Sequence, residues 1–251
     1  MRADLADVEA RIAASSPTGA AGEYLAFDTF TDWGVHAIVT TRGAGSFATA
    51  GDAPVGDVLE RWGALQRFAA GGETGRFATA RQVHGAELIA HTDGWRGWLR
   101  GPAADGHVAP TRGTTLAVTV ADCVPVYLAH PSGATALLHA GWRGTVAGIV
   151  PAAIRHLASL GHAPGELRLL TGPAICGACY EVSPDVFGQL TGRSVDRPTT
   201  VALDGVIARQ ARAAGVGECW AADRCTRCDN DRFYSHRAGD PGRQVGVVWG
   251  G

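Results

Sequence analysis

The sequence predicts an α+β chain whose strands and helices alternate without a regular period. Three observations carry this. Short apolar runs rich in β-branched residues recur along the chain. Several other segments space their apolar residues at helical intervals. The regular strand–helix–strand repeat expected of a doubly wound parallel sheet is absent. With 251 residues, 46% of them hydrophobic and 18% charged, the chain can bury a sizeable core without disulfides. No repeat, linker or low-complexity block divides it, so residues 1–251 are expected to form one domain.

Taken in order, Leu5, Val8 and Ile12 fall on one face of a short helix, predicting a helical extension over about residues 1–20. "EYLAFD" (23–28) and "GVHAIVTT" (34–41) read as strands, the second running into Arg42 and a Gly/Ala-rich loop. Val55, Val58, Leu59, Trp62, Leu65 and Phe68 set a helix. "FATARQVHGAELIAH" reads as two strand pieces broken near Gly85, and "WRGWLRGPAADGHVAPTRG" as a loop. "TTLAVTVADCVPVYLAH" is β-rich, with an interruption from Ala121 to Pro125, and "GATALLHA" is a further strand. Val146, Ile149, Val150, Ala153, Ile154 and Leu157 form a helical stripe that Pro151 should kink or split and Gly161 should end. "ELRLLTGPAI" is a strand entering a Gly-Pro turn. Ser183 with Pro184 starts a short helix, Asp204 caps another that ends at Gly215, and "GRQVGVVWGG" closes the chain as a strand.

Net charge is −2 and every one of the 22 basic residues is Arg, with no basic block, which argues against a nucleic-acid partner. No apolar run approaches the ~20 residues that span a bilayer, and the start lacks a signal-peptide core. A cytoplasmic protein with no membrane partner is expected. In that compartment the six cysteines, at 123, 176, 179, 219, 225 and 228, read as free thiols, ligands or catalytic groups.

Three stretches carry chemistry: "QVHG" (82–85), "ADCVPV" (121–126) and "HAGWRG" (139–144). Each puts a metal-competent side chain at the end of a β-like segment. His84, Cys123 and His139 together make a three-ligand zinc site with an open fourth position, the pattern of catalytic zinc, which makes a nucleophile of water near neutral pH. The same residues also suit a dyad, with Cys123 as thiolate nucleophile and His139 or His84 as base. The bland alternative is an inert buried thiol with ordinary surface or core histidines. Cys176/Cys179 and Cys225/Cys228 are two C-x-x-C pairs. The 45 residues between them exceed the spacing of a zinc ribbon, so unpaired thiols are expected. Arg143 opens a helix and Arg42 ends a strand, both suited to an oxyanion; solvation or pairing with an acid is the alternative. Trp142 reads as a packing residue. His236, in "FYSHRAGDPGRQ", is either another site histidine or a strand residue, and Phe233 and Tyr234 offer faces for a flat heterocycle.

"QVHG", "ADCVPV", "HAGWRGT", "GPAICGACYEV" and "CTRCDNDRFYSHRAGDPGRQ" together resemble the YfiH-like family, over roughly residues 35 to 249. That family carries a laccase or multicopper polyphenol oxidoreductase label and was later assigned as purine nucleoside phosphorylases with adenosine deaminase activity. The resemblance implies a layered α/β/β/α sandwich of mixed sheets with outer helices, similar to a toxin deamidase. It implies zinc on His84, Cys123 and His139, and no metal on the two C-x-x-C pairs. The implied substrates are purine nucleosides (adenosine, inosine, guanosine, methylthioadenosine) and phosphate, handled by a monomer or homodimer. Arg42, Arg143, Gln82 and His236 are then placed on the substrate side, and Asp122 is a candidate for moving a proton. "TTRGAGSFATAGDAP" keeps Thr40, Thr41 and Arg42 but is shorter than the family pattern and lacks its Asn-Leu, and Glu60-Arg61 stands for a later Asn-Arg. That wall of the substrate site should differ. Two other activities follow from labels in the family: a cysteine-dependent amide hydrolase or peptidoglycan editing factor using Cys123, and a copper phenol oxidase. The nine histidines include no His-x-His pair, which disfavours a multicopper centre.

Overall fold

The computed structural model describes residues 6–7, 10–13, 22–51 and 53–251. In chain order the strands are β1 (Ala6–Asp7), β2 (Ala10–Ala13), β3 (Tyr24–Phe27), β4 (Val35–Thr40), β5 (Arg76–Arg81), β6 (Leu88–Ala90), β7 (Trp98–Ala103), β8 (Gly106–Ala109), β9 (Thr114–Val120), β10 (Val124–Ala129), β11 (Thr135–Ala140), β12 (Arg168–Thr171), β13 (Glu181–Val182), β14 (Thr199–Thr200), β15 (Glu218–Ala221) and β16 (Gln244–Gly250). The helices are α1 (Val55–Ala69), α2 (Trp142–Val146), α3 (Ile149–Ser159), α4 (Pro184–Thr191) and α5 (Leu203–Ala213).

Strand alternation builds the layers. Side chains on a strand point to opposite faces in turn. On β10, Val124, Val126 and Leu128 pack against α3 and α5, while Tyr127 and Ala129 face the other sheet. On β4, Ala37 and Val39 face inward, and Ile38 faces α1 with Trp62 and Leu65. Every one of these residues is buried, so both faces of each central strand are apolar and each sheet must be covered twice. Full burial of such a side chain stabilises by ~1.5–3 kcal/mol. The result is the expected α/β/β/α sandwich. One sheet has the order β1-β15-β12-β10-β11-β8-β6 and the other β2-β3-β4-β16-β9-β5-β7, each mixing parallel and antiparallel pairs.

Tyr127 is fully buried between the sheets, and its hydroxyl donates to the Ile38 carbonyl across the interface at 2.8 Å. Tyr127→Phe is expected to cost about 1 kcal/mol and Tyr127→Ala about 3–5 kcal/mol, read from urea unfolding. A Phe variant as stable as wild type would remove the hydroxyl from the account of sheet packing.

The connections matter more for function than the layers do. β5, β7 and β9 lie in one sheet, with β5 parallel to both neighbours. Each hands the chain across to the other sheet, to β6, β8 and β10 respectively. The interruption expected at Ala121–Pro125 is one of these crossings. Its turn needs Asp122 at φ 77°, a left-handed backbone that Asp tolerates better than most residues. The crossing after β5 needs the same of His84, at φ 62°.

Several expectations are corrected. Residues 95–113 are not a loop: they hold β7 and β8. Gly101 and Pro102 hid β7, but it is the last strand of its sheet, where a proline loses no partner, and its register with β5 shifts just there. The helical extension is not seen at Ala6–Asp7 and Ala10–Ala13, which are strands pairing with β15 and β3. A helix that short is marginal alone, and two open sheet edges compete for its backbone. Leu5 and Val8, on which that helix rested, lie outside the described residues. The long helix around Pro151 is split, as one of the two expected outcomes. The break comes at Gly148 (φ 79°), which leaves Pro151 in the first turn of α3, where its missing N–H costs little. The cap of α5 is Ala202 and not Asp204, whose carboxylate accepts instead from the N–H of Gly205. Ser183 does cap α4, accepting from Val186 N–H.

Candidate metal centre

The crossings and the end of β11 meet at one edge of the sandwich. Antiparallel pairing sets Ala140 opposite Val124 and Leu138 opposite Gly106. His139 therefore emerges beside the crossings that carry Asp105 and Cys123. The ligand atoms of His84, Cys123 and His139 all lie within 4.8 Å of one another. His139 is buried, Cys123 half-buried and His84 exposed, so the cluster opens outward on the His84 side.

Asp105 organises this cluster, and sequence reasoning missed it. Its carboxylate is fully buried and accepts from the backbone N–H groups of Val83 (3.1 Å), His84 (2.9 Å) and Gly85 (2.7 Å). It also accepts from His139 Nδ1 at 2.7 Å, while its backbone carbonyl accepts from His139 N–H. One side chain thus pins the "QVHG" turn and holds His139 by Nδ1, leaving Nε2 to face Cys123 and His84 as the nitrogen that could ligate. The only signal was an acid set between small residues in "AADGH", inside the segment taken for a loop.

The electrostatics agree with a ligand set. Burial pushes the Cys123 thiol up, but the His139 and His84 imidazoles outweigh it and bring it down to about 6. Burial disfavours charge on His139, yet Cys123 and Asp105 raise it to about 9. Burial raises the Asp105 carboxyl, but His139 and the N–H groups of Gly85 and Val83 bring it down to about 2. Without a metal, Cys123 and His139 form a thiolate–imidazolium pair; a metal would find the Cys123 thiolate ready and would have to displace the Nε2 proton of His139.

The backbone comes close to the ligand side chains where only glycine permits it. A Cβ on Gly141 would come 3.0 Å from Cys123 Sγ and 3.3 Å from His84 Cδ2, and one on Gly144 would come 2.7 Å from the Gly85 carbonyl. The glycines of "HAGWRG" therefore let the start of α2 pack directly on the ligand turn. Trp142 packs against the helix-side core as expected. The donor set of two imidazoles and one thiolate, with a buried carboxylate behind one imidazole, fits a zinc ion.

The remaining expected residues are placed differently from one another. Gln82 spends its amide on Thr119: Nε2 donates to the carbonyl at 2.7 Å and Oε1 accepts from both N–H and hydroxyl. It moors the ligand turn to β9. Asp122 accepts from Thr226 Oγ1 and from Arg237 N–H, both at 2.6 Å, so both carboxylate oxygens are engaged. Arg42 donates to Asn230 and Phe233 carbonyls and pairs with Asp240 at 2.7 Å, with its guanidinium 4.4 Å from the Tyr234 ring. It anchors the 230–240 loop. Arg143 is exposed, stacked 4.5 Å over Trp142. His236 is exposed on the turn His236–Ala238. Tyr180 was not singled out. It is half-buried, and burial together with the charges of Cys123 and Asp122 pushes its phenol up to about 12. Its charged neighbours also include Arg237 and Arg143, so it belongs to the rim of the centre.

Cys176, Cys179, Cys225 and Cys228 are not scattered thiols. Their sulfurs also lie within 4.8 Å of one another. The spacing argument against a four-cysteine cluster fails because β12 and β15 are parallel neighbours, and the loops that follow them leave the sheet side by side.

A sandwich of two mixed sheets presenting a two-histidine, one-cysteine cluster at its edge defines a class, and the comparisons agree with it. The profile of the multi-copper polyphenol oxidoreductase laccase family matches residues 48–250, and the chain belongs to that family. It is 38% identical over 230 residues to a purine nucleoside phosphorylase of Streptomyces coelicolor, covering 88% of this chain and 93% of that one. It is 32% identical to the purine nucleoside phosphorylase YfiH of Escherichia coli, over 72% and 77% of the two chains. The crystal structure of YlmD from Geobacillus stearothermophilus superimposes with a TM-score of 0.83 at 27% identity, covering 94% of this chain and 97% of that one. Among the described residues, no helix is long and apolar enough to cross a membrane.

Proposed function

We propose that this chain is a zinc-dependent purine nucleoside phosphorylase with adenosine deaminase activity, using His84, Cys123 and His139 as metal ligands. The observation that carries the reading is the convergence of these three side chains on one point, backed by the buried Asp105. The names of the relatives supply the reaction class. A zinc ion there supplies Lewis acidity toward a substrate oxygen or ring atom.

The chain's own groups do the rest. Asp105 holds His139 with Nε2 toward the centre and keeps the 83–85 turn in register. Arg143, exposed and beside Gly144 against the ligand turn, is the better phosphate partner of the two arginines. Arg42 fixes the loop that carries His236 through Nε and Nη2, which donate to Asn230, Phe233 and Asp240. Asp122, tied at both oxygens, positions the Cys123 turn; as a proton carrier it would first have to release Thr226 or Arg237. Tyr180 and His236 form the outer wall for a base or ribose. The substrates are small molecules, and a cytoplasmic monomer or homodimer suffices for them.

The test is a nucleoside panel with and without phosphate. Free base released only with phosphate, and inosine formed from adenosine without it, are expected; Cys123→Ala and His139→Ala should lose both activities together with zinc. Finding neither product with zinc-loaded protein across the panel would sink the reading. The depressed Cys123 thiol also favours a second reading, an amide hydrolase with Cys123 as nucleophile and His139 as base. Metal-free protein that cleaves an amide and stops when Cys123 is alkylated would establish it. Stoichiometric copper with phenol oxidation would instead establish the oxidase.

A further inference from the structure

We propose that Cys176, Cys179, Cys225 and Cys228 bind a zinc ion of their own, a structural site separate from His84, Cys123 and His139. Four thiolates around zinc, at Zn–S distances of about 2.3 Å, place the sulfurs roughly 3.8 Å apart. The four sulfurs here are mutually within 4.8 Å, with Cys179 and Cys228 3.5 Å apart. A disulfide would use two sulfurs at about 2.05 Å and leave the other two without a role.

The backbone around the sulfurs is built for thiolates. Cys176 N–H and Cys228 N–H both point at Cys225 Sγ, at 3.2 and 3.4 Å. Such donors stabilise negative charge on a sulfur and hold the ligand in place. Each C-x-x-C is wound into a tight turn: Cys179 and Tyr180 N–H donate to the Cys176 carbonyl, and Asp229 N–H donates to the Cys225 carbonyl. This winding lets two cysteines three residues apart reach one point. The two turns are extensions of the parallel pair β12 and β15. Thr171 lies opposite Ala221, and beyond the sheet Ala174 still bridges to Cys225. A zinc ion with four thiolates carries two net negative charges. Arg227 reaches across the two turns to the Cys179 carbonyl, and Arg224 lines a cavity with Cys225 and Cys228.

The site would hold together two loops that border the candidate active centre. Tyr180 follows Cys179 directly, and Thr226, between Cys225 and Cys228, donates to Asp122. Its role is to position, through Tyr180 and Asp122, and not to touch substrate.

The experiment separates the two sites. Full-length protein carrying Cys123→Ala and His139→Ala, expressed with zinc, should retain one zinc per chain, with X-ray absorption showing four sulfur neighbours at about 2.3 Å. Adding Cys225→Ser and Cys228→Ser should remove it. In wild type, a thiol-blocking mercurial should release two zinc ions per chain, one of them in step with modification of these four thiols. Folded protein that lacks zinc in the Cys123→Ala/His139→Ala background overturns the proposal. So does peptide mapping that finds a disulfide among the four, or a wild-type protein whose only zinc has a mixed nitrogen–sulfur shell. The outcomes that overturn this proposal leave the centre at His84, Cys123 and His139 to be judged by the nucleoside panel, so the two readings can fail separately.

Discussion

Asp105→Asn is expected to lower zinc affinity by about 10–100-fold, the usual cost of losing a carboxylate behind a ligating histidine. An amide keeps one acceptor oxygen but turns an N–H₂ toward donors. Asp105 now accepts from Val83, His84, Gly85 and His139, so at least one buried donor loses its partner. Breaking one side of a buried charge pair costs about 3–5 kcal/mol. The stability of the metal-free protein should fall with zinc affinity, as measured by urea unfolding and competition with a chelator. The pH dependence carries a sign of its own. The carboxyl sits at about 2 in the folded chain and near 3.9 when unfolded. Its contribution is therefore complete above the unfolded value and lost as pH falls from about 4 to about 2, amounting to about 2–3 kcal/mol. Asp105→Asn should flatten that acid limb. Wild-type zinc affinity in this variant would strip Asp105 of its role at His139.

Gly141→Ala is expected to weaken zinc binding by at least about tenfold while leaving the far-UV circular dichroism unchanged. The backbone there, φ −79° and ψ 175°, is open to any residue, so conformational strain plays no part. The whole effect comes from the new methyl, which meets Cys123 Sγ at 3.0 Å and His84 Cδ2 at 3.3 Å. Those two ligands must part by a few tenths of an ångström, and catalytic geometry tolerates such shifts poorly. Isothermal titration with zinc and the phosphorolysis rate should fall together. Full affinity would mean that the ligands close on zinc from a different direction.

What could be seen in the sequence follows from what each signal depends on. The stripe Ile149–Val150–Ala153–Ile154–Leu157 and the strands around Val126 and Leu137 were legible because burial by a single partner leaves a local period. His84, Cys123 and His139 were legible because each sits in a short, chemically odd stretch at a strand end. Asp105 was not, because its value lies in four donors brought from residues 83–85 and 139. β7 was hidden by Gly101 and Pro102, which only an edge strand tolerates. The four-cysteine cluster was argued away on spacing, and only the parallel pairing of β12 with β15 reverses that. Gln82 and Arg42, placed on the substrate side by the resemblance, also bond to Thr119 and to the 230–240 loop, partners that only the fold reveals.

The passages from β5 to β6, from β7 to β8 and from β9 to β10 stitch the two halves of the sandwich along one seam, and His84, Asp105 and Cys123 are three of the stitches. His139 comes from the first sheet alone, at the end of β11. An ion shared between the stitches and that strand would work as a clasp across the two sheets, and a slip of one sheet over the other would open it. On that geometry, a defect between the sheets, at Tyr127 and Ile38, would be felt as a looser grip at the edge.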